Sequence, residues 1–227
     1  DLVLLALYPQ EAIEFAEQNA TRFKKGAIVI DLCGIKEVVC EPLHSLAEAN
    51  GFTYIGGHPM AGREFSGFAF STGDLFDGAS MIFVPFNGTP IEVVQMVKQF
   101  FKQIGFRMIQ ISTASEHDRI IAFTSQLAHV VSSAYIKSPT ALGHNIGYSA
   151  GSFNDMTRVA KLNETMWTEL FLDNRANLSA EIEWLIGHLE EYNNAIKHDD
   201  REKLIALLAE GRERKAVVDG DETPEGM

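Results

Sequence analysis

Cysteine is scarce in this sequence: Cys33 and Cys40 are the only two. That is too few for a disulfide framework, and the expected setting is a reducing cytoplasm. Cations are in short supply as well, 19 Lys and Arg against 31 Asp and Glu, for a formal charge of −12. A nucleic-acid binder needs clustered Lys and Arg to neutralise phosphate, so that class is excluded. No apolar run reaches the roughly 18–20 residues that cross a bilayer. The opening run, Leu2–Tyr8, is too short and lacks the basic flank of a signal peptide, so no membrane association is expected. A glycine-rich phosphate loop is also missing, as is any internal repeat. What is present is a 227-residue chain with 46% hydrophobic and 22% charged residues. It suits two modest domains with real cores and is far from disordered composition.

The first half alternates in period. Leu2–Tyr8, Ala27–Leu32, Phe52–Ile55, Met81–Val84 and Phe106–Ile111 are apolar runs of strand length. Between them lie helical stripes over Glu11–Phe23, Lys36–Asn50 and Ile91–Ile104. Lys24-Lys25-Gly26 closes the first helix, Gly51 ends the second, and Pro42 is expected to bend it. Strands alternating with helices imply crossover units and a largely parallel sheet. After Ile111 the strands stop. Thr113-Ala114-Ser115-Glu116 is a capping box opening a helix expected to run to about Tyr135. A Gly/Ser/Asn-rich stretch, Gly143–Asn154, follows, and then helical patterns over Thr165–Leu172, Ala176–His198 and Arg201–Val217. The last residues, Asp219–Met227, read as a frayed tail. The fold class expected is α/β plus all-α, with a sheet domain over 1–112 and a helical domain over 113–227.

Ligands of open α/β sheets bind at the carboxyl ends of strands. His58 follows the third run after Gly56-Gly57 and precedes Pro59, which reads as a rim loop in which glycines admit a ligand and proline fixes the turn. A loop histidine with a satisfied ring is an equal alternative. On the capped helix, at about 100° per residue, Asp118, Ser125, His129 and Ser132 share one stripe, and the other faces carry apolar residues. Such a stripe faces water or a cavity; the apolar surroundings favour a cavity. Arg158, in Asn154-Asp155-Met156-Thr157-Arg158, is either a surface partner of Asp155 or a fork for a carboxylate. His117, His144, His188 and His198 lack metal-ligand spacing, and no metal site is expected. Trp167 and Trp184 read as helix-packing residues.

Taken together, the motifs resemble the prephenate/arogenate dehydrogenase family of tyrosine biosynthesis. The resemblance rests on Gly57-His58-Pro59-Met60-Ala61-Gly62-x-Glu64-x-Ser66-Gly67, on Asp31-x-x-x-x-Lys36, and on Glu116-His117-Asp118. Ser125-x-x-x-His129, Asp155-x-Thr157-Arg158-Val159-Ala160 and Met166-Trp167-x-x-x-Phe171-x-x-Asn174 complete it. It implies a Rossmann-like sheet followed by a helical dimerisation domain, hence a homodimer. The implied reaction is oxidative decarboxylation of prephenate to 4-hydroxyphenylpyruvate, with NAD or NADP as cofactor. His58 would accept the ring hydroxyl proton, and Arg158 would clamp a substrate carboxylate beside an Asp155/Glu64 charge network. Ser125 and His129 would contact substrate or cofactor from the helical side. Leu7, Pro9, Asp31, Gly34 and Lys36 would lie on the cofactor.

The chain departs from the family pattern at several points. Gly34 stands where many relatives carry serine, so a hydrogen bond to the reacting hydroxyl or to His58 is absent or supplied by water. Arg63 stands where threonine is common, and this extra cation favours dianionic prephenate over arogenate. Gln126 replaces a frequent histidine. Residue 1 is Asp, and an apolar run begins at once, which reads as a cut chain. The family's first strand and glycine-rich turn would precede it, leaving the C-terminal half of the sheet, an exposed apolar edge at Leu2–Tyr8, and weak or no dinucleotide binding by this segment alone. Two other readings are a β-hydroxyacid or 6-phosphogluconate-type dehydrogenase, with Lys161 as its lysine, and a non-catalytic dimerisation or regulatory module.

Overall fold

The computed structural model describes residues 1–62, 67–142, 147–148 and 150–220. Five strands form one sheet in the order β1 (Leu2–Leu5), β2 (Ile28–Asp31), β3 (Thr53–Met60), β4 (Ser80–Pro85) and β5 (Met108–Ile111). All neighbouring pairs are parallel except β3 and β4, which run antiparallel. Helices α1 (Pro9–Asn19), α2 (Glu37–Asn50) and α3 (Ile91–Gln103) supply the crossovers between the parallel pairs.

Side chains alternate across the sheet, as the strand period requires. Val29, Tyr54 and Val84 point to one face, where Ala12, Ile13 and Ala16 of α1 and Val39, Leu43 and Ala47 of α2 bury them. Ile30, Ile55, Met81 and Phe83 fill the other face against Val94, Val97 and Phe101 of α3. The near-continuous apolar strands are therefore the signature of a sheet covered on both sides. Gly51 closes α2 in the left-handed region at φ 77°, where a side chain would be strained. The first helix stops earlier than Phe23, at Asn19, and a single tight turn over Ala20–Arg22 completes the segment.

One expectation is corrected in the third strand. It was read as ending at Ile55, with His58 in a rim loop; β3 instead continues to Met60, and His58 lies opposite Ile82 within the antiparallel ladder. The partner strand β4, distant in sequence, supplies the backbone bonds that keep this stretch extended. Gly56 and Gly57 are accordingly packing glycines and do not open the backbone to a ligand. A Cβ at Gly57 would lie 2.6 Å from the Asp31 carbonyl oxygen and 2.8 Å from Met81 Cε. One at Gly56 would lie 2.7 Å from Cys40 Sγ.

Beyond the sheet, α4 (Ala114–Ile121) starts as the capping box implies, with Thr113 Oγ1 accepting the Glu116 amide at 3.2 Å. The single long helix expected to Tyr135 is interrupted. A π-helical segment, Ala122–Leu127, separates α4 from α5 (Ala128–Tyr135). α6 (Gly151–Thr157) starts within the Gly/Ser/Asn-rich stretch and runs past its end, and α7 (Glu164–Asp173) follows. These elements belong with the sheet to one compact unit, 1–178.

The second compact unit, 179–227, holds most of α8 (Arg175–Lys197) and all of α9 (Arg201–Asp219). Within it, Tyr192 donates to the Leu207 carbonyl at 3.2 Å, and Asp200 caps α9 by accepting the Lys203 amide at 2.9 Å. Trp184, read as a packing residue, is 70% exposed; Leu189, Ile196, Ile205 and Leu208 are exposed as well. Among the described residues no helix is long and apolar enough to cross a membrane.

The close approach at β3 gives a direct test. Gly57→Ala should destabilise the protein by about 1–3 kcal/mol, the usual cost of forcing a methyl into a filled core. Gly62→Ala, whose Cβ would meet nothing within 4 Å, should stay within about 0.5 kcal/mol of the parent. Urea unfolding of the two variants checks this; equal stabilities would contradict the packing role.

Candidate active site

A cleft of about 520 Å³ opens beside the end of β3. His58, from β3, lines it together with Ser125 and His129, from the π-helical segment and the start of α5, and Arg158, which follows α6. Lys161, Asn163, Met166 and Trp167 close the far side. The two imidazoles and the guanidinium singled out in the sequence therefore share one cavity, within a single compact unit. Arg63 and Glu64 lie outside the described residues. Asp155 is exposed on α6 and is not part of the cleft lining.

His129 donates from Nδ1 to the Ser125 carbonyl oxygen at 2.8 Å. A carbonyl only accepts, so Nδ1 carries the proton and Nε2 remains as the acceptor nitrogen. The ring stacks on Trp167, with centroids 4.0 Å apart and 30° between planes. Trp167 was read as a packing residue; it is instead a wall of the cleft. The polar stripe breaks up for a geometric reason. A π turn takes more residues per revolution than an α turn, so residues before and after Ala122–Leu127 lose the register of an ideal helix. Ser125 and His129 reach the cleft, whereas Asp118 and Ser132 are buried and absent from its lining. Gln126 is also buried, donating to the Leu170 carbonyl at 3.0 Å and accepting from Asn174 Nδ2 at 2.8 Å.

Behind His58 runs a chain of polar contacts that sequence reasoning missed. His58 Nδ1 lies 2.8 Å from His117 Nε2, and His117 Nδ1 lies 2.6 Å from Asp118 Oδ1. Asp118 also accepts the Lys36 amide on Oδ1 and the Glu37 amide on Oδ2, each at 2.8 Å. It thus caps α2, whose own N-cap residue, Lys36, makes no side-chain cap. Asn174 donates to the Asp118 backbone carbonyl at 2.8 Å. The only sequence signal was the Glu116-His117-Asp118 motif, which by itself reads as an ordinary acidic helix start.

Asp31 and Lys36 require a second correction. Both are fully buried and pair with each other, where they were expected at the exposed rim. Lys36 Nζ pairs with Asp31 Oδ1 and donates to the Gly57 carbonyl at 2.7 Å. Asp31 further accepts the Cys33 amide at 2.9 Å and the Tyr54 hydroxyl at 2.5 Å. This satisfied buried pair braces β2, β3 and the start of α2; removing either partner alone would strand a charge. Burial and the Asp31 carboxylate push the Tyr54 hydroxyl above its ordinary range, so it stays a donor. Burial pushes the Cys40 thiol up to about 12 and the Cys33 thiol higher still, so both stay protonated at neutral pH.

The remaining expected cofactor residues occupy a different place. Leu7 and Pro9, beyond β1, and Gly34, beyond β2, line a second cavity of about 420 Å³ with Met166 and Leu170. This is the carboxyl rim of parallel strands, where α/β sheets bind ligands. Met166 lines both cavities. A Cβ at Gly34 would sit 3.8 Å from His58 Nε2, so the lack of a side chain there leaves that nitrogen open.

A largely parallel sheet with a ligand-sized cavity at its carboxyl rim, followed by helices that complete a cleft, defines an α/β fold of the ligand-binding class. The nucleotide-binding domain model of prephenate dehydrogenase matches residues 1–110, and the dimerization domain model matches 113–210. The chain belongs to the prephenate dehydrogenase family. Cyclohexadienyl dehydrogenase of Zymomonas mobilis is 29% identical over 97% of this chain and 76% of its own length. Prephenate dehydrogenase of Lactococcus lactis is 27% identical over 96% of this chain, which spans 61% of that relative. The solved prephenate dehydrogenase from A. aeolicus, in complex with hydroxyphenyl propionate and NAD+, superposes with a TM-score of 0.82 at 26% identity. That match covers 96% of this chain and 76% of the other.

The electrostatics of His58 lead to a pH prediction. Burial first, then His117 and Lys36, hold its pKa well below 6.5. In the unfolded chain the ring protonates below about pH 6.5, so the unfolded state binds more protons there and stability falls as pH drops from that value toward the depressed folded-state pKa. Thermal unfolding at pH 7.5 and pH 5 should show a smaller loss for His58→Asn than for the parent; equal losses would refute the assignment.

Proposed function

We propose that this chain forms the catalytic part of a prephenate dehydrogenase, which converts prephenate to 4-hydroxyphenylpyruvate and CO₂ with reduction of NAD or NADP. The observation that carries this reading is the convergence of His58, His129 and Arg158 on one cleft, next to a cavity at the sheet's carboxyl rim. The rim cavity suits the nicotinamide end of such a cofactor in place and lining: apolar Leu7 and Pro9 on one side, and Gly34 leaving open space toward His58 on the other. Bound there, the nicotinamide would accept a hydride from the substrate ring.

This chain's residues then have separable tasks. His58 is neutral at pH 7 because its pKa is held down, so Nε2 can take the proton of the ring hydroxyl as that carbon is oxidised. The proton returns to the ring oxygen once CO₂ has left, and formation of the aromatic ring drives the reaction forward. Arg158 holds a carboxylate through its fork. Ser125 and His129 contact the substrate from the helical side, and Trp167 fixes the His129 ring by stacking. The protein's share of the catalysis is chiefly positioning and polarisation.

Prephenate carries two carboxylates, and Lys161 joins Arg158 in the cleft lining; two cations suit the dianion better than arogenate, which bears an ammonium. Arogenate is the alternative substrate. Lys161 also lines the cleft as a β-hydroxyacid-type lysine would, but that reading leaves His58 and the His-Pro-Met-Ala-Gly run without a task. The relatives named above are dehydrogenases, which argues against a non-catalytic module. We assign nucleotide binding to 1–112 and dimerisation to 113–227, with exposed Trp184, Leu189, Ile205 and Leu208 favouring a homodimer.

Kinetics on the full natural chain, with NAD and NADP and with prephenate and arogenate, test this reading. His58→Asn should lower kcat by roughly 10²–10⁴, the usual worth of a general base, while Arg158→Ala should chiefly raise KM. Wild-type rates in both variants would defeat the assignment. In sedimentation, Leu208→Asp should shift a dimeric parent toward monomer; a parent already monomeric at micromolar concentration would remove the dimer.

A further inference from the structure

We propose that His117, held by Asp118, is a positioning residue that takes over the charge when His58 acts as a base: a proton arrives at His58 Nε2, and the proton on His58 Nδ1 passes to His117 Nε2. The inference rests on the reading of His58 as the base of the dehydrogenation.

The protonation states follow from the partners. Asp118 receives two backbone amides, which can only donate, and it sits at the N-terminus of the 14-residue α2, where the helix dipole favours an anion. Its carboxylate therefore acts as acceptor toward His117, and His117 Nδ1 is the donor across 2.6 Å. The other His117 nitrogen, Nε2, faces His58 Nδ1 at 2.8 Å, a contact that needs one proton between two nitrogens. With both rings neutral that proton lies on His58 Nδ1, and His58 Nε2, toward the open side of Gly34, is bare. The tautomer a base requires is thus fixed by a contact outside the cleft, since His117 is fully buried and absent from its lining.

The same contact resolves a difficulty in the mechanism. A positive charge resting on His58 would face His117 from α4 and Lys36 from the start of α2, in a half-buried place. Lys36 is already paired with Asp31 and offers no relief, and the Asp118 carboxylate is reached only through His117. Passing the Nδ1 proton onward returns His58 to neutrality as its other tautomer, and leaves an imidazolium at His117 bonded to a carboxylate. One proton enters the pair and none is lost. The path reverses when the ring oxygen takes its proton back.

Two measurements on the full chain test this. In ¹⁵N-labelled protein, the imidazole nitrogen shifts should show His58 with Nε2 unprotonated near neutral pH, and on acidification the imidazolium signature should appear at His117 before His58. An imidazolium forming first at His58 would overturn the proposal. This readout needs neither cofactor nor turnover, so it can succeed where the dehydrogenase reading fails. In kinetics, His117→Gln keeps an amide oxygen for His58 Nδ1–H but cannot hold the proton. Expected are a kcat lower by about tenfold to a hundredfold, part of the 10²–10⁴ of the base itself, a KM near wild type, and an acid limb of the kcat profile displaced to lower pH. A variant with a wild-type acid limb, whatever its turnover or melting temperature, would overturn it.

Discussion

The carboxylate of Asp118 is the point on which the architecture of the site depends. It belongs to α4, yet it closes the N-terminus of α2 and orients His117, which in turn orients His58 on β3. One buried anion therefore ties together three elements that the chain visits far apart. Such a charge is tolerable because both its oxygens are hydrogen-bonded, by two amides and one ring nitrogen. The geometry at the cleft is inherited from that satisfaction: by capping α2, the Asp118 carboxylate fixes α4 and its histidine beside the sheet.

A second buried charge network lies on the far side of His58. Lys36 and Asp31 are joined to each other, to Tyr54 and to the backbone of Gly57. The two networks meet at Lys36, whose amide serves Asp118 and whose ammonium serves Asp31. His58 thus lies between the Lys36–Asp31 pair and the His117–Asp118 pair, and its burial beside them holds its pKa down.

Much of this was legible in the sequence. The five strands and the helices between them follow from short apolar runs alternating with amphipathic stripes, and the capping box at Thr113 marks the change to helices. His58, His129 and Arg158 could be named from motif and resemblance. What escaped has specific causes. The extent of β3 depends on hydrogen bonds to β4, and no local pattern reports them. Asp31 and Lys36 look like rim residues because a sequence does not reveal whether opposite charges will bury one another. Trp167 resembles any aromatic on an apolar helix face until its stacking on His129 is seen. His117 sat beside an acidic residue at a helix start, where solvent exposure is the ordinary outcome.

The widened turn at Ala122–Leu127 ties the spelling of the helix to its chemistry. Such a turn houses an extra residue without lengthening the rod in proportion, as though a bead had been threaded into a spring. Excising one bead would let the coil close to its usual pitch and leave the downstream side chains near their present bearing, because the wide turn has already absorbed the surplus residue. Closing the turn without removing a residue would instead swing His129 away from the cleft. In this stretch the number of amino acids matters as much as their identity.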